Sequence, residues 1–391
     1  MKRFVLSIVL AAAPLAADSR LVPAMNAFTS DTYKHLARSE ANLILSPFNI
    51  ATALSMALAG ARGQTANEIQ SVLHLHFDPT YDAALGALLA ELTKAGNTGG
   101  NELVAANGLW VQKRFAILPA FETTLANDYR APLRLADFIG DSEAARFQIN
   151  GWTEEHTKGK IKNLFSAGSL DAQTRLVLAS AIYFYGKWQN PFVSSRTQPA
   201  PFTLLTGVTT QTNFMNQTSH FGYTETPSAQ ILELRYADTG MVFDVLLPKI
   251  LVGFPELEKS LTFEDLTGWL GHLTNRNVQV SLPKFRAESE FSLGKALSVM
   301  GMPTAFTDKA DFSGIDSNRD LAISEVVHKA FVDVSEQGTE ATATTGIAVR
   351  ATALRMPEQV VVFRADHPFV FLIRDTRTQV VLFIGRLMNP R

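Results

Sequence analysis

Apolar residues return every three to four positions across residues 25–37, 50–60 and 81–94, a spacing that predicts amphipathic helices. A fourth such stretch, 143–157, runs into Lys158-Gly159-Lys160, which reads as a helix stop. Strand-like runs occupy 109–111, 176–185, 230–234, 241–247, 278–282, 330–334, 369–373 and 380–385. The run 176–185 (Leu-Val-Leu-Ala-Ser-Ala-Ile-Tyr-Phe-Tyr) is apolar almost throughout, as a central strand covered on both faces would be. Helices dominate the first half and strands the second, with no internal repeat or proline-rich linker between them. The pattern predicts one large α+β domain.

One polar stretch does not fit a linker. Ser335 to Gly346 follows a good strand, lacks large apolar residues, and leaves too few residues beyond it for another domain. Every second residue from Thr339 (Thr339, Ala341, Ala343, Thr345, Ile347, Val349) is small or apolar. The alternate set, Glu340, Thr342, Thr344, Gly346, Ala348 and Arg350, carries both charges. Side chains alternate between faces in a strand, so this exposed loop is written to become a strand with one buried side. No proline interrupts it before Pro357. A loop able to serve as a strand suggests two states for one sequence.

Composition narrows the function. The 391 residues are 46% hydrophobic and 18% charged, enough for a sizeable core. Lys plus Arg number 35 against 37 Asp plus Glu, a net charge of −2 that argues against nucleic-acid binding and a polybasic membrane surface. Zero cysteines exclude disulfides, thiolate catalysis and Cys-ligated metals. Lys2 and Arg3, the apolar run 4–13 and Pro14-Leu15-Ala16-Ala17 read as a secretory leader, residues 1–17, cleaved after Ala17. Its removal leaves 33 basic against 37 acidic residues, a charge of −4, and an exported chain, extracellular or periplasmic. No other segment approaches membrane-spanning length.

Catalytic signatures are missing. There is no Gly-x-Ser-x-Gly elbow, phosphate-binding glycine loop or His-Glu-x-x-His helix. His74 and His76 have a possible metal spacing, but near a helix end they read as solvated surface. Glu154, Glu155 and His156 read the same way, because adjacent helix positions diverge. The sequence predicts neither an enzyme nor a metal or cofactor.

Several ordered motifs resemble the serpins. They are Asn42-Leu43-Ile44-Leu45-Ser46-Pro47-Phe48, Ala59-Gly60-Ala61-Arg62-Gly63-Gln64-Thr65, Ile161-Lys162-Asn163-Leu164-Phe165, Ala181-Ile182-Tyr183-Phe184 and Gly186-Lys187-Trp188. His328-Lys329-Ala330-Phe331-Val332-Asp333-Val334, Gly338-Thr339-Glu340-Ala341 and Phe363-Arg364-Ala365-Asp366-His367-Pro368-Phe369 complete the set, which spans residues 24–389. The resemblance implies one α+β domain over 18–391, with three β-sheets, eight or nine helices and an exposed reactive loop at about 336–357. It also implies suicide inhibition. A serine protease cleaves the loop, an acyl-enzyme forms, and the cut loop inserts into the large sheet and traps it.

Family spacing makes Glu336, Gln337, Gly338, Thr339, Glu340, Ala341, Thr342 and Ala343 the hinge. The small side chains of Thr339, Ala341 and Ala343 favour an inhibitory member over a non-inhibitory binding or chaperone one. Counting seventeen residues from Glu336 puts the cleaved bond at Thr352–Ala353, suited to an elastase- or subtilisin-like target. The loop runs long, which leaves Arg355–Met356, for a trypsin-like target, and Arg350–Ala351 as alternatives. Papain-like proteases are a further target class that the same mechanics permit. Ser46, Asn49, Ser180 and His328 match the cluster through which the family opens its sheet. Relatives usually carry serine at Asn49 and asparagine at Ser180, so the amide and hydroxyl look exchanged. Residues 81–97 form no basic helix, so no polyanion cofactor is implied. The chain is expected to act as a monomer.

Overall fold

The computed structural model describes residues 20–76, 78, 80–339 and 359–391. The leader therefore lies outside the described residues, as does the loop from 340 to 358. No described helix is long and apolar enough to cross a membrane.

The first half is helical as expected, with longer helices than periodicity alone gives. It contains α1 (Leu21–Leu36), β1 (Leu43–Leu45), α2 (Pro47–Gly60), α3 (Gly63–Val72), α4 (Tyr81–Gly96), β2 (Glu102–Gln112), α5 (Pro119–Asn127), β3 (Arg134–Ala136) and α6 (Phe138–His156). Helix α2 begins three residues before the periodic run because Ser46 caps it: the Ser46 Oγ accepts from Asn49 N, and Pro47 opens the first turn. Almost every residue of α2 is buried, so it is a core helix rather than an amphipathic one.

The second half is mostly strand: β4 (Leu176–Lys187), β5 (Gln198–Thr203), β6 (Thr209–Glu225), β7 (Ala229–Arg235), β8 (Met241–Pro248), α7 (Phe254–Lys259), α8 (Phe263–Gly271), β9 (Thr274–Pro283), β10 (Phe285–Ser292), α9 (Gly294–Met300), α10 (Ser313–Asp316), β11 (Ile323–Ser335), β12 (Gly338–Thr339), β13 (Val361–Arg364), β14 (Phe369–Asp375) and β15 (Val381–Leu387). Ten α-helices among the described residues exceed the eight or nine expected; α10 is only four residues long.

A six-stranded sheet has the order β10-β11-β12-β4-β2-β3. The other strands run β1-β15-β14-β8-β7-β6-β9-β13, with β5 on β6. Strand β6 is long enough to serve two sheets: its last residues pair with β7, while its earlier ones pair with β5 and β9. The three expected sheets are thus one separate sheet and two joined through β6. The main core fills the space between these sheets around α2. A buried Arg374 pins β7, β8 and β14 together by bonding Glu233 and Asp244 at 2.6 Å each. A second core lies on the other face of the six-stranded sheet, where Phe138, Ile149 and Trp152 of α6 cover Trp110, Tyr183 and Phe331.

Candidate functional site

Strands β4 and β11 run parallel and pair directly from Leu176↔Ile323 up to Tyr183↔Phe331. Above that level they part, and the two residues of β12 fill the opening. Gly338 pairs with Lys187 and Ser335, and Thr339 with Gly186 and Val334, antiparallel to both neighbours. The chain turns back at Ser335 through Glu336 and Gln337 and enters the sheet it has just left. Gly338 makes this possible with a φ of 144°, and a Cβ there would run into the Gly186 carbonyl.

The described hinge residues, Glu336 to Thr339, are anchored. Trp188 N donates to Gln337 O at 2.9 Å and Phe192 N to Glu336 O at 2.8 Å. The Trp188 indole N–H donates to Ser335 O at 2.9 Å. The Glu336 carboxylate accepts from Thr197 Oγ1 at 2.9 Å and faces Lys284 Nζ at 2.8 Å. Burial works to raise the Glu336 pKa, but the bonds from Lys284 and Thr197 outweigh it and hold the group below the usual carboxylate range. Thr339 is fully buried, its hydroxyl 2.7 Å from that of Tyr236.

Halfway down the same sheet, Asn107, Ser180 and His328 form a transverse row on β2, β4 and β11. The row sits over the start of α2. Ser46 N donates to His328 Nε2 at 3.0 Å, so that nitrogen carries no proton. His328 Nδ1 lies 3.0 Å from Ser180 Oγ, which accepts from Asn49 Nδ2 at 2.9 Å. Asn107 Nδ2 donates to Asn49 Oδ1 at 2.8 Å. Ser46, Asn49, Ser180 and His328 are thus brought into one buried network, and Asn107 joins it. A single asparagine in a strand gives no signal from which its place could be read.

Direct contact between Asn49 and Ser180 makes exchanging them a test. Asn49→Ser combined with Ser180→Asn is expected to lose about 1 kcal/mol less stability than the two single changes added together, as contacting groups couple. Urea unfolding of the four proteins measures this; additive losses would contradict it.

The network also sets a pH response. Burial pushes the His328 imidazole down to about 3, against an opposing hydrogen bond with Ser180. A group held neutral in the fold but protonated when unfolded contributes stability above its ordinary pKa of about 6.5. That stability is lost as pH falls from about 6.5 towards 3, by about 1.4 kcal/mol per unit. The parent is expected to lose about 2 kcal/mol more than a His328→Gln variant between pH 7.5 and 5. Denaturant midpoints check it; equal losses in both proteins would contradict it.

The remaining hinge residues Glu340, Ala341, Thr342 and Ala343 lie outside the described residues. So do the three candidate bonds, Arg350–Ala351, Thr352–Ala353 and Arg355–Met356. His74 pairs with Asp31 at 2.8 Å, and no group of three or more metal-ligating side chains occurs among the described residues. Glu154 pairs with Lys162, and the His156 ring lies tilted against Trp152 at 4.7 Å. The side-chain nitrogen of Asn216, in the Asn216-Gln217-Thr218 sequon, donates to Arg196 O and Phe214 O at 3.0 Å each.

Comparison with known proteins gives a consistent result. Residues 23–390 match the family model described as Serpin (serine protease inhibitor). The chain is 39% identical over 384 residues to the leukocyte elastase inhibitor of Sus scrofa, covering 95% of this chain and 100% of that one. It is 38% identical to an uncharacterized serpin-like protein of Thermococcus kodakarensis, covering 96% of this chain and 87% of that one. Among solved structures, the highly specific Serpin48 of the insect Tenebrio molitor superposes with a TM-score of 0.87 at 34% identity, covering 96% of this chain and 100% of that one.

Proposed function

The chain belongs to the serpin family, and we propose that it is an exported, monomeric suicide inhibitor of serine endopeptidases. The observation that carries this reading is the strand already begun at Gly338 and Thr339. Continued in that register on insertion, Ala341, Ala343, Thr345, Ile347 and Val349 come opposite Phe184, Ile182, Ser180, Leu178 and Leu176. All five partners are buried. Small or apolar residues therefore meet the main core, and the alternate set, with Glu340 and Arg350 at its two ends, takes the face that α6 covers. Thr345 falls between Ser180 and His328, so insertion separates that pair and brings a hydroxyl into the polar row. A buried hydroxyl needs such a partner.

The chemistry belongs to the target. Its serine hydroxyl attacks the Thr352 carbonyl, the Thr352–Ala353 amide breaks, and Ala353 leaves as the new amino terminus of the C-terminal peptide. An ester to Thr352 remains. As the loop zips downward, Val349 reaches the start of β4 and Thr352 passes beyond it. The ester comes to lie thirteen residues below Thr339 in that register, about 40 Å along the sheet at about 3.3 Å per residue. Strand pairing unavailable to the uncut loop drives this movement, and distortion of the target prevents hydrolysis of the ester. The small Thr352 suits an elastase-like pocket, in keeping with the elastase inhibitor among the relatives.

The test is titration of elastase-, subtilisin-, trypsin- and papain-like enzymes, with the released peptide weighed. Loss of serine protease activity with a peptide starting at Ala353 is expected. A peptide starting at Met356 or Ala351 moves the bond, and capture of the papain-like enzyme alone changes the target class. Cleavage throughout the panel with protease activity intact overturns the reading in favour of a non-inhibitory member.

A further inference from the structure

A strand entering a sheet must find its register before it gains from pairing, and its first residues are ordered at a loss. Register is critical for this loop. A slip of one residue would turn Glu340 and Arg350 into the core and Ile347 and Val349 out of it. Of the two residues seated in the resting chain, Gly338 has no side chain with which to fix a position. Thr339 does, and its hydroxyl meets Tyr236.

Tyr236 is built to be immobile. It follows the end of β7, is fully buried, stacks on Trp188 at 4.7 Å and meets Phe184 edge-on at 4.8 Å. Burial lifts its phenol pKa further above the ordinary range, so the O–H stays protonated at any working pH. Trp188, in turn, holds both Ser335 and Gln337 by hydrogen bonds. The ring pair thus grips the hinge on both sides of its turn, and the phenol points at the one side chain that marks the register.

We propose that Tyr236 is a positioning residue for loop insertion: its hydroxyl seats Thr339 before cleavage and so fixes the register in which the cut loop zips. This deepens the trapping reading and rests on it. Every cleaved molecule divides between zipping, which traps the protease, and hydrolysis of the ester, which releases it. A seated hinge favours the first branch without altering how the bond is attacked.

Tyr236→Phe keeps the ring stack and removes the hydroxyl; Thr339→Val removes the other half of the pair. Losing one buried hydrogen bond is expected to speed amide exchange at Gly338 and Thr339 in the intact chain by about tenfold. Each variant should consume about fivefold more inhibitor per protease trapped, while the loop-cleavage rate changes by no more than about twofold. The double variant should be no worse than the worse single, and Thr339→Ser, which keeps the hydroxyl, should behave as the parent. Unchanged exchange and stoichiometry would overturn the proposal, as would a parallel fall in cleavage rate and folded fraction. If the parent traps no protease, the functional reading fails on that result, and the exchange rates still decide whether Tyr236 holds the seat.

Discussion

Thr339→Arg is expected to turn the chain from a trap into an ordinary substrate. Thr339 has no exposed surface, and its seat is closed by Tyr236 on one side and by β4 and β11 on the others. Two described carboxylates near that seat are already paired: Glu336 faces Lys284, and Asp244 is bound by Arg374. Burying an unpaired charge costs several kcal/mol, and each 1.4 kcal/mol on the insertion barrier slows it about tenfold. Slowing insertion by about a hundredfold or more lets hydrolysis of the ester win. The inhibitor should then be cut at an undiminished rate, with little covalent complex and the protease fully active afterwards. Stoichiometry and a denaturing gel read both quantities. Trapping at the parent's stoichiometry would mean that position 339 need not enter the sheet.

Cleavage alone should have an equally large effect on stability. In the resting chain β4 and β11 share a single direct ladder of eight residue pairs. Insertion replaces it with two ladders, one on each side of a new strand, and buries Ile347 and Val349. A net gain of roughly ten backbone hydrogen bonds at about 1 kcal/mol each amounts to about 10 kcal/mol. For a chain of this size that raises the melting temperature by about 10–20 °C. The uncut loop cannot collect this, because both its ends are fixed, at β12 and at β13. On the proposed mechanism the resting fold is held kinetically. Calorimetry before and after nicking measures the gain, and an unchanged melting temperature would show that the cut loop stays outside the sheet.

How much of this was legible in the sequence depends on the kind of signal. The period-two pattern that begins at Thr339 of β12 was readable, because it is a local property of the chain. Strands β4, β8 and β14 were readable for the same reason, being almost uninterrupted apolar runs. Strand β10, Phe-Arg-Ala-Glu-Ser-Glu-Phe-Ser, was missed because, as an edge strand, it is polar at every second position and has only two large apolar residues, which leaves no apolar run. The start of α2 was missed because Ser46-Pro47 is a capping signal, not a periodic one. Helix α3 was missed because it has only three buried residues, one of them the polar Thr65.

The polar network was legible only through motifs, and then in four of its five members. Asn107 lies far from the others in sequence and reaches them through the β2–β4 register. Tyr236 escaped notice for a similar reason. Nothing local marks a tyrosine after β7 as the partner of a threonine 103 residues later. Pairings of that kind are made by topology, and no window of sequence contains them.

The chain is expected to end its reaction covalently joined to its target. Incubation with an equimolar elastase-like serine protease, followed by denaturation and intact-mass measurement, tests it most directly. The account requires a species resistant to denaturation whose mass is that of protease plus inhibitor, less the peptide that begins at Ala353. Two inhibitor fragments beside a free, active protease of unchanged mass would contradict it.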